Sequence, residues 1–156
     1  MDQASAEKRL KEMGLVLPPP ARPGGAYVPS KRLGNLLYLS GQGPIRDGKP
    51  LATGQVGSDV SLSDAIEAAR QAAINSLAVI RSAAGSLDRV CQIVQVRGFV
   101  NSAPGFYLQP MVMNGASELL VDVFGERGQH VRCALGTSSL PHNIPVEIEM
   151  IVELTS

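Results

Sequence analysis

The sequence predicts an α+β domain built on one mixed β-sheet, with two long helices packed on a single face of it. Three observations carry this. The C-terminal segment alternates strictly, with Val146, Ile148, Met150, Val152 and Leu154 on one side and Glu147, Glu149 and Glu153 on the other, the period-two signature of a strand with one buried face. Two internal segments instead have a helical period. Strands and helices also intermix along the chain in the order β-β-β-α-β-α-β-β, which suits helices gathered on one face of a sheet.

Asp2 to Met13 reads as a short helix that places Ala6, Leu10 and Met13 on one face and turns Glu7, Lys8, Lys11 and Glu12 outward. Leu17, Pro18, Pro19 and Pro20, followed by Pro23, Gly24 and Gly25, cannot continue that helix and should run extended over the surface. Residues 1–24 are therefore expected to be an appended helix and tether, and residues 25–156 the domain proper. Ala26 to Ser30 and Leu36 to Gly41 are expected as strands joined around Gly34 and Asn35, with a second tight turn at Asp47 and Gly48.

From Asp64 to Ala84 the pattern becomes helical, with Ile66, Ala69, Ala73, Leu77 and Ile80 on one stripe and Ser61 or Ser63 as the cap. Val90 to Val100 is the next strand, with Val90, Val94, Val96 and Val100 assigned to the helix-covered face. Its other face would hold Cys91, Ile93, Gln95, Arg97 and Phe99, too apolar for a surface open to water. A second helix begins near Pro110, directs Met113, Ala116, Leu120 and Val123 inward and ends by Gly125. Val131 to Ser138 and Val146 to Leu154 complete the sheet. Its outer face needs a cover, and for a chain of this size the simplest cover is another copy of itself, so a homo-oligomer is expected.

Composition narrows the function. The 14 basic and 14 acidic residues cancel, aromatic residues are few and Trp is absent, so neither the field nor the stacking platforms of a nucleic-acid binder are present. No signal peptide or membrane span is apparent, and a cytoplasmic location is expected. Cys91 and Cys133 lack the spacing of a zinc or redox motif and are expected to be buried free thiols. His130 and His142 have no partner cluster that would make a metal site.

Several residues invite a chemical reading. Arg132 shares a strand face with the small residues Ala134, Gly136 and Ser138. It is either an interface arginine paired with Glu147 or Glu149, or a bidentate clamp for a carboxylate. Glu147 and Glu149 are like charges two residues apart on the polar face, either solvated or set beside a cleft where one holds a water. Ser40, Gly41 and Gln42 end a strand, where their amides and the Ser40 hydroxyl either donate to an anion or make a plain turn.

Tyr27-Val28, Leu33-Gly34-Asn35, Leu39-Ser40-Gly41-Gln42, Val131-Arg132 and Leu140-Pro141 ahead of Val146-Glu147-Ile148-Glu149 together resemble the RidA (YjgF-like) family of imine and enamine deaminases, also called the endoribonuclease L-PSP family. The resemblance runs from about Gly25 to Leu154. It implies a chorismate-mutase-like fold of the bacillary type, a homotrimer with three clefts between subunits, and no metal or organic cofactor. It also implies that Arg132 grips the carboxylate of a small imino or oxo acid, that Glu147 serves the attacking water, and that Tyr27, Ser40, Gly41, Asn114 and Ala134 line the pocket. The implied reaction is hydrolysis of reactive 2-imino acids, such as those derived from 2-aminoacrylate, to 2-oxo acids and ammonia. A non-catalytic carboxylate-binding trimer is the alternative, and endoribonuclease action the third. Two positions depart from the family pattern: Ala134 replaces its usual cysteine, and Ser139 replaces the basic residue before Leu-Pro.

Overall fold

A computed structural model describes residues 5–156; the Asp2–Ala4 part of the expected first helix lies outside the described residues. α1 (Ala6–Glu12) is capped by the Ser5 hydroxyl, which accepts from the Lys8 N–H. Ala6 and Leu10 are fully buried in the core, but Met13, the C-cap, is 37% exposed. Glu7 does not point outward as expected. Its carboxylate accepts from the Arg81 guanidinium and from the Leu87 N–H, because the helix docks where two otherwise unsatisfied donors meet it. Burial by itself would raise the Glu7 pKa, but the bonds from Arg81 and Leu87 prevail and lower it.

The first strand is shorter than expected. β1 is Ser30–Leu33 and β2 is Leu36–Gln42, joined by a two-residue turn in which Gly34 takes φ 59°, a conformation glycine adopts without strain. Ala26 to Pro29 is not strand. Pro29 has no N–H to give a ladder and only its carbonyl meets β2, accepting from the Ser40 N–H. Asp47 and Gly48, both at positive φ, turn β3 (Ile45–Arg46) into β4 (Lys49–Pro50), a small separate hairpin that adds one strand to the expected order.

α2 (Leu62–Ala84) starts at Ser61, whose hydroxyl accepts from the Asp64 N–H, and stops at Gly85 in the left-handed region. α3 (Gln109–Phe124) carries Met113, Ala116, Leu120 and Val123 fully buried, as the periodicity predicts. The two helices pack closely because small residues meet: a Cβ on Gly115 of α3 would overlap the Ile66 carbonyl of α2.

β5 (Val90–Asn101), β6 (Val131–Thr137) and β7 (Val146–Leu154) complete a five-stranded sheet of order β1-β2-β7-β5-β6. β6 runs parallel to β5 and the other pairs are antiparallel. β7 alternates as read, with Val146, Ile148, Met150, Val152 and Leu154 buried beneath the helices. β5 does not. The helix-covered residues are Val90, Ile93, Val96 and Val100, with Ile93 replacing the expected Val94. Two bulges opposite β7, between Val90 and Gln92 and between Ile93 and Gln95, each insert a residue and reverse the facing, which strict alternation cannot reveal.

The face away from the helices exposes Tyr38, Val131 and Leu135. Cys133 lies among them and is exposed, and Cys91 is half-buried, so the expectation of two buried thiols fails. β6 is the sheet edge, and its odd-numbered residues face the uncovered side. Among the described residues, no helix is long and apolar enough to cross a membrane.

Candidate functional site

The residues singled out in the sequence fall into two groups. The first surrounds Arg132 on edge strand β6, where even-numbered residues turn toward α3. Arg132 Nη1 donates to Asn114 Oδ1 at 3.0 Å and to Ser117 Oγ at 3.1 Å, and Nη2 donates to the Pro110 carbonyl at 3.2 Å. Asn114 and Ser117 are three residues apart and so share one helix face. All three acceptors are neutral. Among the described residues no carboxylate lies within 4.0 Å of Arg132, and the pairing with Glu147 or Glu149 that its strand position allowed is absent. Glu149 instead meets Arg97 at 2.9 Å.

A guanidinium has five N–H donors. The three bonds leave one on Nε and one on Nη2 without a partner among the described residues, as many as a two-oxygen carboxylate grip uses. Ala134, two residues on and on the same face, is partly buried against the core and adds no polar group.

The second group surrounds Glu147 in β7. A cavity of about 360 Å³ is lined by Glu147, Tyr27, Gly41 and His142, together with Arg22 of the Pro-rich segment. Gly41 is required by this approach, since a Cβ there would overlap the Glu147 carboxylate. Burial, and secondarily the charge of Glu149, push the Glu147 pKa up. Ser40 lies next to this cavity, not in its lining, and its hydroxyl donates to the Val28 carbonyl at 2.7 Å, so the proton expected to face an anion is already used. Tyr27 is 54% exposed, its hydroxyl accepting from the Gly24 N–H.

Strand register separates the two groups. Arg132 pairs with Val96 and Val96 with Met150, all on the helix side of the sheet. Glu147 pairs with Phe99 and Phe99 with Leu135, on the opposite side. Within one chain the sheet stands between the guanidinium and the carboxylate.

Sequence reasoning missed Ser117 and His130. His130 Nε2 lies 2.9 Å from Ser117 Oγ, and Nδ1 lies 2.6 Å from the Gly128 carbonyl. Burial, and secondarily Arg132, lower the His130 pKa against the opposing effect of the Gly128 carbonyl. The three-residue spacing from Asn114 was the available signal for Ser117. The loop before β7 also holds His142 and Asn143 consecutively at positive φ, 56° and 55°, where Asn143 Oδ1 accepts from the buried Asn101 amide. Among the described residues no group of three or more His, Cys, Asp or Glu could hold a metal ion.

Protein TCP17 of Trypanosoma cruzi is 40% identical to this chain over 148 residues, covering 94% of this chain and 92% of that protein. The crystal structure of Atu1372 from Agrobacterium tumefaciens, a protein of unknown function, is 45% identical, covers 97% of this chain and 93% of its own and superposes with a TM-score of 0.88. Escherichia coli TdcF, solved with bound serine, is 22% identical with a TM-score of 0.61 over 88% of this chain and 93% of its own, a likeness of fold. The family model described as "YjgF/chorismate mutase-like, putative endoribonuclease" matches residues 7–154, nearly the whole chain. By that match, and with the fold to go with it, the chain belongs to the YjgF/chorismate-mutase-like family.

Proposed function

We propose that the protein hydrolyses reactive 2-imino and enamine acids to 2-oxo acids and ammonia. The working form is a homotrimer in which each cleft takes Arg132, Asn114 and Ala134 from one chain and Tyr27, Ser40, Gly41 and Glu147 from the next. The observation that carries the reading is the state of Arg132, a half-buried cation oriented by three neutral acceptors, with no carboxylate beside it among the described residues. A charge so held attracts an anionic ligand, and a small carboxylate fits its two remaining donors. The serine in TdcF supports an amino-acid-like ligand for this fold. The separation of Arg132 and Glu147 across the sheet, together with the apolar outer face, supports clefts shared between chains.

The chemistry needs no covalent nucleophile. With the carboxylate on Arg132, a cleft water adds to the neighbouring iminium carbon and gives up a proton to Glu147, forming a tetrahedral 2-amino-2-hydroxy acid. Glu147 returns the proton to the amino nitrogen, the C–N bond breaks with its electron pair leaving as ammonia, and the hydroxyl passes its proton to the Glu147 carboxylate as it closes to the 2-oxo group, a proton then released to solvent or to the departing ammonia. A carboxyl whose pKa is raised by burial suits both steps, since it takes and returns a proton nearer to neutral pH.

A second reading is a trimer that binds a 2-oxo acid without turnover; Ala134 in place of the family cysteine alters the shape of the pocket and its substrate range, whereas the presence of Glu147 argues for turnover. Endoribonuclease action, carried by the family's description, receives little support from 14 basic against 14 acidic residues.

The deciding experiment compares 2-oxo acid formation from a freshly generated 2-imino acid by wild type, Arg132→Ala and Glu147→Gln. Acceleration by wild type that disappears in both variants, with carboxylate binding kept in Glu147→Gln, is the expected result. Binding without acceleration across small, aliphatic and aromatic imino acids selects the non-catalytic trimer.

A further inference from the structure

Arg132 is the first member of a chain of hydrogen bonds running away from the proposed ligand. Nη1 donates to Ser117 Oγ at 3.1 Å; Ser117 Oγ meets His130 Nε2 at 2.9 Å; and His130 Nδ1 meets the Gly128 carbonyl at 2.6 Å. The direction of each bond follows from its last member. A carbonyl only accepts, so Nδ1 carries the imidazole proton. In the neutral ring Nε2 is then an acceptor, so Ser117 must give it the hydroxyl hydrogen. That rotation turns the lone pairs of Ser117 toward the guanidinium, where an acceptor is required. Guanidinium, hydroxyl, imidazole and carbonyl thus donate in one sense, each bond fixing the next.

We propose that Ser117 and His130 are positioning residues for Arg132, holding the guanidinium so that its free Nε and Nη2 hydrogens face the ligand carboxylate. The inference rests on the carboxylate-clamp reading above and adds the part of the protein that aims the clamp. Asn114 and the Pro110 carbonyl hold the same guanidinium from other parts of α3. Loss of the Ser117–His130 arm therefore leaves the arginine attached but free to turn, and weakens its grip without removing it. Arg127 and Arg132 lie on the segments flanking His130, and both are cations; a neutral imidazole avoids adding a third charge.

Pyruvate, a 2-oxo acid, serves as the binding probe, titrated by calorimetry into the full chain and its variants. Ser117→Ala and His130→Phe should each raise Kd about five- to tenfold. The double variant should be no weaker than either single one, since both break the same chain. His130→Gln should bind as wild type does, because its amide can donate to Gly128 and accept from Ser117. In turnover of a 2-imino acid, the Ser117→Ala defect should appear in KM with kcat nearly unchanged.

Wild-type affinity in both Ser117→Ala and His130→Phe overturns the inference, as does failure of His130→Gln to rescue, since a ring needed only for packing is not replaced by a flexible amide. Should His130→Phe fail to fold, Ser117→Ala and His130→Gln decide by themselves. Arg132→Ala separates the two levels. Its retention of wild-type affinity removes the clamp itself, whereas loss of affinity there with none in Ser117→Ala removes only the positioning arm.

Discussion

If Arg132 and Glu147 serve one substrate from opposite sides of the sheet, two inactive variants should restore each other. Chains carrying Arg132→Ala keep Glu147, and chains carrying Glu147→Gln keep Arg132. Removing either side chain should cost at least one charge-assisted hydrogen bond, about 1.5–3 kcal/mol, or roughly ten- to hundredfold in rate. In a ring where each cleft draws Arg132 from one subunit and Glu147 from the next, random mixing of equal amounts makes both donors intact in about one quarter of clefts, whatever the ring size. Mixed assemblies should therefore recover about a quarter of wild-type turnover per cleft, well above either parent. The assay unfolds the two variants together, refolds them, confirms assembly by light scattering and measures 2-oxo acid release. The control refolds each variant separately and combines them afterwards, which permits no exchange if the rings are stable. Mixed rings that assemble but stay at the parental level would refute the shared cleft and place both residues in separate roles.

Further outcomes follow from single contacts. The raised Glu147 pKa predicts that turnover falls on acidification at a higher pH than an ordinary carboxylate would give. Glu149→Gln removes the adjacent like charge and should move that limb of the pH–rate profile downward. The same shift has a stability sign: a carboxyl whose folded pKa is raised favours the fold while protonated, and loses that contribution as pH climbs from its unfolded value through its folded one. Glu147→Gln should thus raise the melting temperature at neutral pH. Glu7 has the opposite sign, its pKa lowered on balance by Arg81 and Leu87, so its contribution is present above its unfolded pKa and lost as pH falls through the folded one. Glu7→Gln should cost about 1 kcal/mol at neutral pH in urea unfolding, discounted for its partial exposure, and less in acid. Gly115→Ala should cost about 1–3 kcal/mol through overpacking against the Ile66 carbonyl.

What the sequence made legible follows from how local each determinant is. β7 could be read residue by residue because an isolated period-two pattern needs no knowledge of neighbours. α2 announced itself by its helical stripe and a serine cap at Ser61 or Ser63, and the Gly34-Asn35 turn by its own φ requirement. β5 misled because its two bulges exist only against β7, so the facing of Ile93 and Val94 is a property of the pair of strands. Glu7 misled for the same reason: its partners Arg81 and Leu87 are more than seventy residues away, and a seven-residue helix taken alone gives no cause to turn a carboxylate inward. Arg132 was visible as a cation among small residues, but its partners belong to α3. Only the placement of that helix shows that neutral acceptors, and not Glu147 or Glu149, surround it.

If the proposed shared cleft holds, the electrostatics of its two halves explain why neither would suffice by itself. Arg132 contributes one charged grip, about 1.5–3 kcal/mol, whereas even millimolar affinity requires about 4 kcal/mol. Asn114, Ser117 and the Pro110 carbonyl orient the guanidinium without neutralising it, so its charge has no anion beside it among the described residues. Across the sheet Glu147 is in the complementary position, a carboxylate pressed against Gly41 and partly desolvated, with the like charge of Glu149 two residues away. A cation held without an anion and an acid held above its ordinary pKa are both costly in an isolated subunit. A small carboxylate drawn onto Arg132 at an assembly contact relieves the first cost, while Glu147, facing a water across that contact, keeps the raised pKa that its proton transfers use. On this reasoning ligand and assembly stabilise each other, and a saturating 2-oxo acid should shift the oligomer toward resisting dilution in wild type but not in Arg132→Ala.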